Sequence, residues 1–193
     1  MENIRRYFDL IAGVSLTAED WEMFASKLVR QDFPKKHVLL KSGKIEPYLS
    51  FVESGIFRFY HSKDEHELTF AFAFEGEFMS GYSSFLTQSP SHYHIESLTP
   101  ATLWRISFDD LQSIYLETAI GNLIGRKTSE GLFLQKSKRE LSLLTESAEQ
   151  RYLNLFSEQA HLVQQIPLKY LASYIGVTPQ ALSRIRKRLA SSH

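Results

Sequence analysis

The chain has 193 residues, 43% apolar and 13% aromatic, with 22 Lys+Arg balancing 22 Asp+Glu and no cysteine. Without cysteine there can be no structural disulfide, thiolate zinc site, cysteine-bound iron–sulfur cluster or thiol nucleophile. The length suits one large domain plus a small one, and nothing in the composition points to disorder.

The opening residues, MENIRRYFDLIAG, carry no secretion-signal pattern, and no apolar run is long enough to cross a bilayer. A soluble, cytoplasmic protein is expected. Residues 3–30 read as helical, with Ile4, Phe8 and Ile11 on one face. A second helix, capped by Thr17, turns Trp21, Phe24 and Leu28 inward. From Val38 to Ser107 the texture changes to short aromatic and β-branched runs at 38–40, 48–53, 56–61, 67–74, 92–97 and 102–107. Turn signals separate them at Ser42-Gly43, Ser54-Gly55, Lys63-Asp64 and Glu75-Gly76. Leu68, Phe70, Phe72 and Phe74 alternate with Thr69, Ala71 and Ala73, which predicts that the phenylalanines face a core. Such a meander argues for an antiparallel sandwich or barrel.

Beyond Ser107 the pattern is helical again. A short helix is expected at 109–117 and a long one from Thr118 to Leu144, carrying Ile120, Leu123, Ile124, Leu132, Leu134 and Leu141. Gly121, Gly125 and Gly131 each weaken the long helix by about 1 kcal/mol relative to alanine, so packing must hold it. Glycines also admit a second helix closely. A two-fold dimer seam follows from this, the alternative being a helix packed on its own barrel.

Residues 168–189, LKYLASYIGVTPQALSRIRKRL, are the most informative stretch. Leu168, Leu171, Ala172 and Ile175 make one apolar helix face, which Gly176 ends. Thr178 is a good N-cap and Pro179 fits the first helical position. In the helix that follows, Leu182, Ile185 and Leu189 back a polar front of Gln180, Ser183, Arg184 and Lys187. That is the pattern of a recognition helix in a helix-turn-helix, with a solvated helical hairpin as the plain alternative. From Arg151 onward six basic residues (Arg151, Lys169, Arg184, Arg186, Lys187 and Arg188) face one acid, Glu158. A basic end on an acidic body suits contact with the phosphate backbone of duplex DNA.

Together, the helical start, β-roll, long helix and terminal helix-turn-helix resemble the Crp/Fnr-type transcription regulators over nearly the whole chain. GEFMSGYSSFLTQSPSHYHIESLTPATLWRIS (76–107) resembles the phosphate-binding cassette of their cyclic-nucleotide-binding domain. AEQRYLNLF (148–156) and PLKYLASYIGVTPQALSRIRK (167–187) resemble their DNA-binding end. The resemblance implies an α+β chain with three parts. Residues 1–117 form a sensor domain, an antiparallel β-roll with flanking helices. Residues 118–144 are a coupling and dimerisation helix, and 145–193 the helix-turn-helix domain. It further implies a recognition helix from about Thr178 to Leu189. Gln180, Ser183 and Arg184 would read bases from it, beside Thr178 and Pro179 at its start. Lys187 and Arg188, assisted by Lys169, would hold phosphates. Partners would be duplex DNA, a second copy and RNA polymerase.

The cassette departs from the cyclic-AMP-binding members, which carry Gly-Glu for the ribose and Arg-Ser or Arg-Thr for the phosphate. Here the matching positions are Ser80-Gly81 and Ser91-His92. A buried phosphate without a guanidinium partner is expensive, and an ordinary histidine is mostly neutral at pH 7. Weak or no cyclic AMP binding is expected. Tyr82, Ser83, Ser84 and Phe85, with Ser91, His92, Tyr93 and His94 across from them, are the candidate contacts for a small, less charged effector. A collapsed pocket completing the core is the alternative. Occupancy would act by shifting head orientation through the long helix.

His92 and His94 have the strand spacing of a chelating pair, but no third ligand is evident, and a structural pair is the simpler reading. The family's haem sensors use histidine ligation, although no cofactor is expected here. No Gly-x-Ser-x-Gly elbow, phosphate-binding Gly-rich loop or His-Glu-x-x-His helix is present, and no enzymatic role is expected. Four residues follow Leu189, too few for the β-hairpin wing of many relatives. The competing class is a small-molecule-binding barrel, cyclic-nucleotide-binding-like or cupin-like, whose helical tail serves assembly.

Overall fold

A computed structural model describes residues 1–13, 15–63, 66–118 and 120–191. They divide into two compact units, one of residues 1–61 with 72–132 and the other of residues 62–71 with 133–193.

The first unit opens with α1 (Glu2–Ala12), closed by Gly13 in the left-handed region at φ 71°. Helix α2 (Ala18–Ser26) starts where the Thr17 hydroxyl accepts from the Asp20 N–H, as expected of that cap. The helical reading of 3–30 runs too far, because Val29–Phe33 is a strand, β1. It pairs antiparallel with β8 (Ala101–Ser107), from Val29 opposite Arg105 to Phe33 opposite Ala101. Pairing with a strand some seventy residues away decides its conformation, and no local pattern announces that.

The other strands are β2 (Val38–Leu40), β3 (Tyr48–Ser54), β4 (Phe57–Lys63), β5 (His66–Ala73), β6 (Phe78–Met79) and β7 (His94–Ser97). One sheet has the order β1-β8-β3-β6 and the other β2-β7-β4-β5. Both are antiparallel at every described pairing, giving the rolled sandwich the meander implied. Of the turn expected at Lys63-Asp64, Lys63 ends β4 and Asp64 lies outside the described residues.

Strand β5 reverses the expected faces. Thr69 and Ala73 are buried, Phe70 and Phe72 are half-buried, and Leu68 is 56% exposed. Alternation assigns two faces without saying which one is inner, and here Thr69 and Ala73 are buried while Ala71 is half-buried like Phe70 and Phe72.

Helices α1 and α2, with α4 (Phe108–Glu117), cover the first sheet. Ile4, Phe8, Phe24, Phe51, Phe85 and Ile114 form the core between them. Phe8 packs edge-on to Phe24 at 4.7 Å between centroids and stacks on Phe78 at 5.3 Å. The short helix α3 (Tyr82–Thr87) lies between β6 and β7 in sequence.

Helix α5 (Gly121–Thr145) starts three residues later than the sequence suggested. Two of its glycines serve packing inside the chain. A Cβ on Gly121 would lie 2.8 Å from the Ile114 carbonyl, and one on Gly125 would lie 2.9 Å from the Tyr115 hydroxyl. Only Gly131 of the three faces open space.

The second unit holds the rest of α5, then α6 (Ala148–Glu158), α7 (Ala160–Gln165), α8 (Leu168–Tyr174) and α9 (Pro179–Ser191). A complete capping box starts α6, with Ser147 and Gln150 each bonding the other's main chain. Tyr152, Leu155, Leu162, Ile166, Leu171, Ile175 and Leu182 are buried and provide its core. Residues 62–71 join this unit through Ser173, whose hydroxyl accepts from the Thr69 N–H at 2.8 Å and donates to the Glu67 carbonyl at 3.2 Å.

Candidate nucleic-acid interface and sensor cassette

The turn between α8 and α9 is built as its residues dictate. Gly176 adopts φ +79°, the Val177 N–H reaches the Ala172 carbonyl, and the Gly176 N–H reaches that of Ser173, each at 3.0 Å. This is a Schellman closure, which needs a residue in the left-handed region and so favours glycine. Two residues later the Thr178 hydroxyl accepts from the Ala181 N–H at 3.2 Å, and Pro179 opens α9. The expected stop, cap and start all stand where they were placed.

Leu182 and Ile185 are buried, and Leu189 is half-buried. On the other side Gln180, Ser183, Arg184 and Lys187 are exposed, together with Thr178, Pro179, Arg186 and Arg188. Lys169 on α8 is exposed too, its ammonium 4.6 Å from the Tyr170 ring centre. One helix face thus offers two amide or hydroxyl groups and two cations to solvent, on a back fixed by the core.

Three arginines have partners that the sequence did not reveal. Arg188 is ion-paired with Glu149 of α6, an acid just upstream of the stretch whose charge was counted. Arg151 donates from Nε to the Ile175 carbonyl at 2.9 Å and from Nη1 to the Glu146 carbonyl. Arg139 of α5 donates to the Tyr174 carbonyl at 2.6 Å and lies over the Tyr174 ring. Two guanidinium groups therefore cap the carbonyl end of α8, satisfying orphan acceptors and opposing the helix dipole. Arg151→Ala should destabilise α8 by about 2 kcal/mol, read as roughly thirtyfold faster amide exchange in that helix. Unchanged exchange would show that Arg151 is dispensable there.

In the first unit, the cassette residues are packed among themselves. Ser80 donates to the Tyr48 carbonyl at 2.9 Å. Ser84 accepts from the Glu46 N–H at 3.0 Å and donates to the Ser89 carbonyl. Phe85 is fully buried against Phe108. Ser91 accepts from the Tyr93 N–H at 3.2 Å and donates to the Tyr93 carbonyl at 3.0 Å. Ser83 and His92 are exposed. Tyr82 instead lines an apolar cavity of about 40 Å³ with Phe8, Leu49, Phe78, Tyr115 and Ile124. Burial there, with Tyr82 nearby, pushes the Tyr115 phenol up to about 12.

Glu46 is the residue the sequence reading missed. It is 2% exposed, accepts from the Tyr48 N–H at 3.1 Å and from the Gly81 N–H, and sits 3.5 Å from Arg105 Nη2. Burial raises its carboxyl above the usual range, and Arg105 and the two N–H groups draw it partly back. The Arg105 guanidinium also lies 4.0 Å over Tyr48 and donates to Gln31 at 2.8 Å. A Cβ on Gly81 would stand 2.4 Å from Leu40 Cδ2 and 3.1 Å from Glu46 Cβ, so a side chain there would have to move the buried Leu40.

His92 precedes β7, so the strand spacing does not apply to it, and the His94 ring stacks on Tyr60 at 4.9 Å. Among the described residues no group of three or more His, Asp or Glu could hold a metal ion. None of their helices is long and apolar enough to cross a membrane.

Residues 30–118 match the family described as "Cyclic nucleotide-binding domain". No curated protein matches the chain at a significant level. Among solved structures, a CooA double mutant from Carboxydothermus hydrogenoformans superposes with a TM-score of 0.72 at 17% identity, covering 88% of this chain and 79% of that one. CLP from Xanthomonas campestris, described as a c-di-GMP-responsive global regulator, gives 0.68 at 20% identity, covering 91% and 93%. A putative transcriptional regulator of the crp/fnr family from Eubacterium rectale gives 0.67 at 18%, covering 97% and 88%. The chain has the fold of the Crp/Fnr-type regulators through both units.

Proposed function

We propose that this chain is a DNA-binding transcription regulator of the Crp/Fnr type, reading the major groove with α9. The observation that carries the proposal is the exposed front of Gln180, Ser183, Arg184 and Lys187 on a helix whose back is buried. Arg184 and Gln180 have the geometry for bidentate contacts to guanine and adenine, and Ser183 adapts to either. Lys169, Arg186 and Lys187 take phosphates; Arg188 joins them only by leaving Glu149. The protein acts as a homodimer. Leu134, Leu141 and Leu144 stand exposed on α5 at heptad-type spacing, beside Phe133 at 70%, which suits a helix pair with a second copy. Two copies of α9 then meet two half-sites.

The 30–118 domain is the sensor, and cyclic AMP is not its ligand. Neither an acidic side chain at Gly81 nor an arginine at Ser91 is available to hold the ribose and phosphate. Calorimetric titration with cyclic AMP should give no heat of binding at micromolar concentrations.

Arg184→Ala tests the base contact. Affinity for the preferred duplex, selected from a random pool, should fall by about 1–3 kcal/mol, and discrimination at one base pair should relax. An equal loss on every sequence would move Arg184 to the phosphate backbone. No loss on any duplex would remove α9 as the reading helix.

A further inference from the structure

We infer that the cassette of the sensor domain is closed by its own Tyr93, whose phenol takes up the polar groups a small ligand would need. This rests on the cassette's own packing and does not require that the chain bind DNA. The Tyr93 hydroxyl accepts from the Tyr82 main-chain N–H and shares a hydrogen bond with the Ser83 hydroxyl, within electrostatic reach of the Glu46 carboxyl. Its backbone is pinned from the other side, since the Ser91 hydroxyl bonds both the N–H and the carbonyl of Tyr93. The ring approaches Phe59 at 6.3 Å between centroids, and most of the side chain is shielded from water.

The floor behind it is filled as well. Leu40 and Glu46 crowd Gly81, and Glu46 is engaged by the Gly81 and Tyr48 N–H groups and by Arg105. Tyr82 N–H, Ser83, Ser91 and Glu46 are thus all satisfied from within the chain. A polar ligand would have to displace the phenol and replace the bonds it makes.

The phenol is suited to this place. Burial and Glu46 raise its pKa above the ordinary tyrosine value, so it stays neutral and adds no charge beside a buried carboxylate. A phosphate there would bring negative charge toward Glu46, and Arg105 is already engaged by Glu46, Gln31 and Ser50. The consequence is a sensor domain that holds its closed packing without a nucleotide.

Thermal unfolding of the full chain tests this with 4-methylphenol, the tyrosine side chain as a free molecule. Tyr93→Ala should lower the midpoint by roughly 5–10 °C through the space and bonds lost. Millimolar 4-methylphenol should restore part of that loss and leave the wild-type midpoint unmoved. Millimolar cyclic AMP should move neither. Tyr93→Phe keeps the ring and serves if the alanine variant does not fold. Its Tyr82 amide should exchange about tenfold faster than in the wild type. Three results would each overturn the inference. These are an equal response of wild type and Tyr93→Ala to 4-methylphenol, a wild-type shift with cyclic AMP, or unchanged Tyr82 exchange in Tyr93→Phe.

Discussion

Raising the salt from roughly 50 to 200 mM should weaken binding to duplex DNA between about a thousandfold and a hundred-thousandfold. Each chain exposes Lys169, Arg184, Arg186 and Lys187 on or beside the reading helices, and a homodimer doubles that set. Six to ten neutralised phosphates release a matching number of condensed counterions, so log affinity falls steeply and linearly with log salt. Fluorescence anisotropy of a labelled duplex at stepped salt concentrations reads the slope directly. If α6 to α9 served only assembly, a slope near zero would be found, and the regulator proposal would fail. Arg188 and Arg151 should add little to the slope. The first is paired with Glu149, and the second is bound to the carbonyls of Ile175 and Glu146. Counting charges along the chain overstates the cations free to meet phosphate, because it cannot see which of them close the fold.

That difference runs through the whole molecule. The turn at Gly176-Val177-Thr178-Pro179 was legible because every constraint on it is local: a left-handed residue, a side-chain cap and a proline without an N–H. The helix start at Thr17 was legible for the same reason. Features that depend on distant partners were not. Val29–Phe33 is a strand because β8 lies beside it. On β5 the alternation was plain, but which face turned inward depended on what packs against each, and Thr69 and Ala73 took the buried side. Gly121 and Gly125 read as room for a second helix and instead admit Ile114 and Tyr115 of the same chain. In the cassette the missing ribose and phosphate partners could be seen as absent residue types. A pocket closed by its own tyrosine and phenylalanine side chains was legible as an alternative, but Glu46 was not, since it lies before Pro47 in a turn-like stretch.

Glu46 also carries the largest expected effect on stability. Its partner Arg105 is 9% exposed at the side chain, and Glu46 is 3%, so neither charge can fall back on water. Arg105→Ala leaves a buried carboxylate with two N–H donors and no cation, and should cost about 3–5 kcal/mol in urea unfolding at pH 7. The pH dependence follows from the sign of the shift. Burial already raises the folded-state pKa of Glu46 and Arg105 lowers it, so removing Arg105 raises it further. A carboxyl whose folded pKa lies above its unfolded one is penalised as pH rises past the unfolded value, until it is ionised in both states. The deficit of Arg105→Ala should therefore be largest at neutral pH and shrink as pH falls toward the unfolded carboxyl range. Glu46→Gln in the same background removes the charge but keeps an acceptor for Tyr48 and Gly81. It should recover part of the loss at pH 7 and flatten the pH dependence. An Arg105→Ala deficit that stays constant with pH, or a double variant no more stable than the single, would show that Arg105 acts by packing on Tyr48 rather than by holding the Glu46 charge.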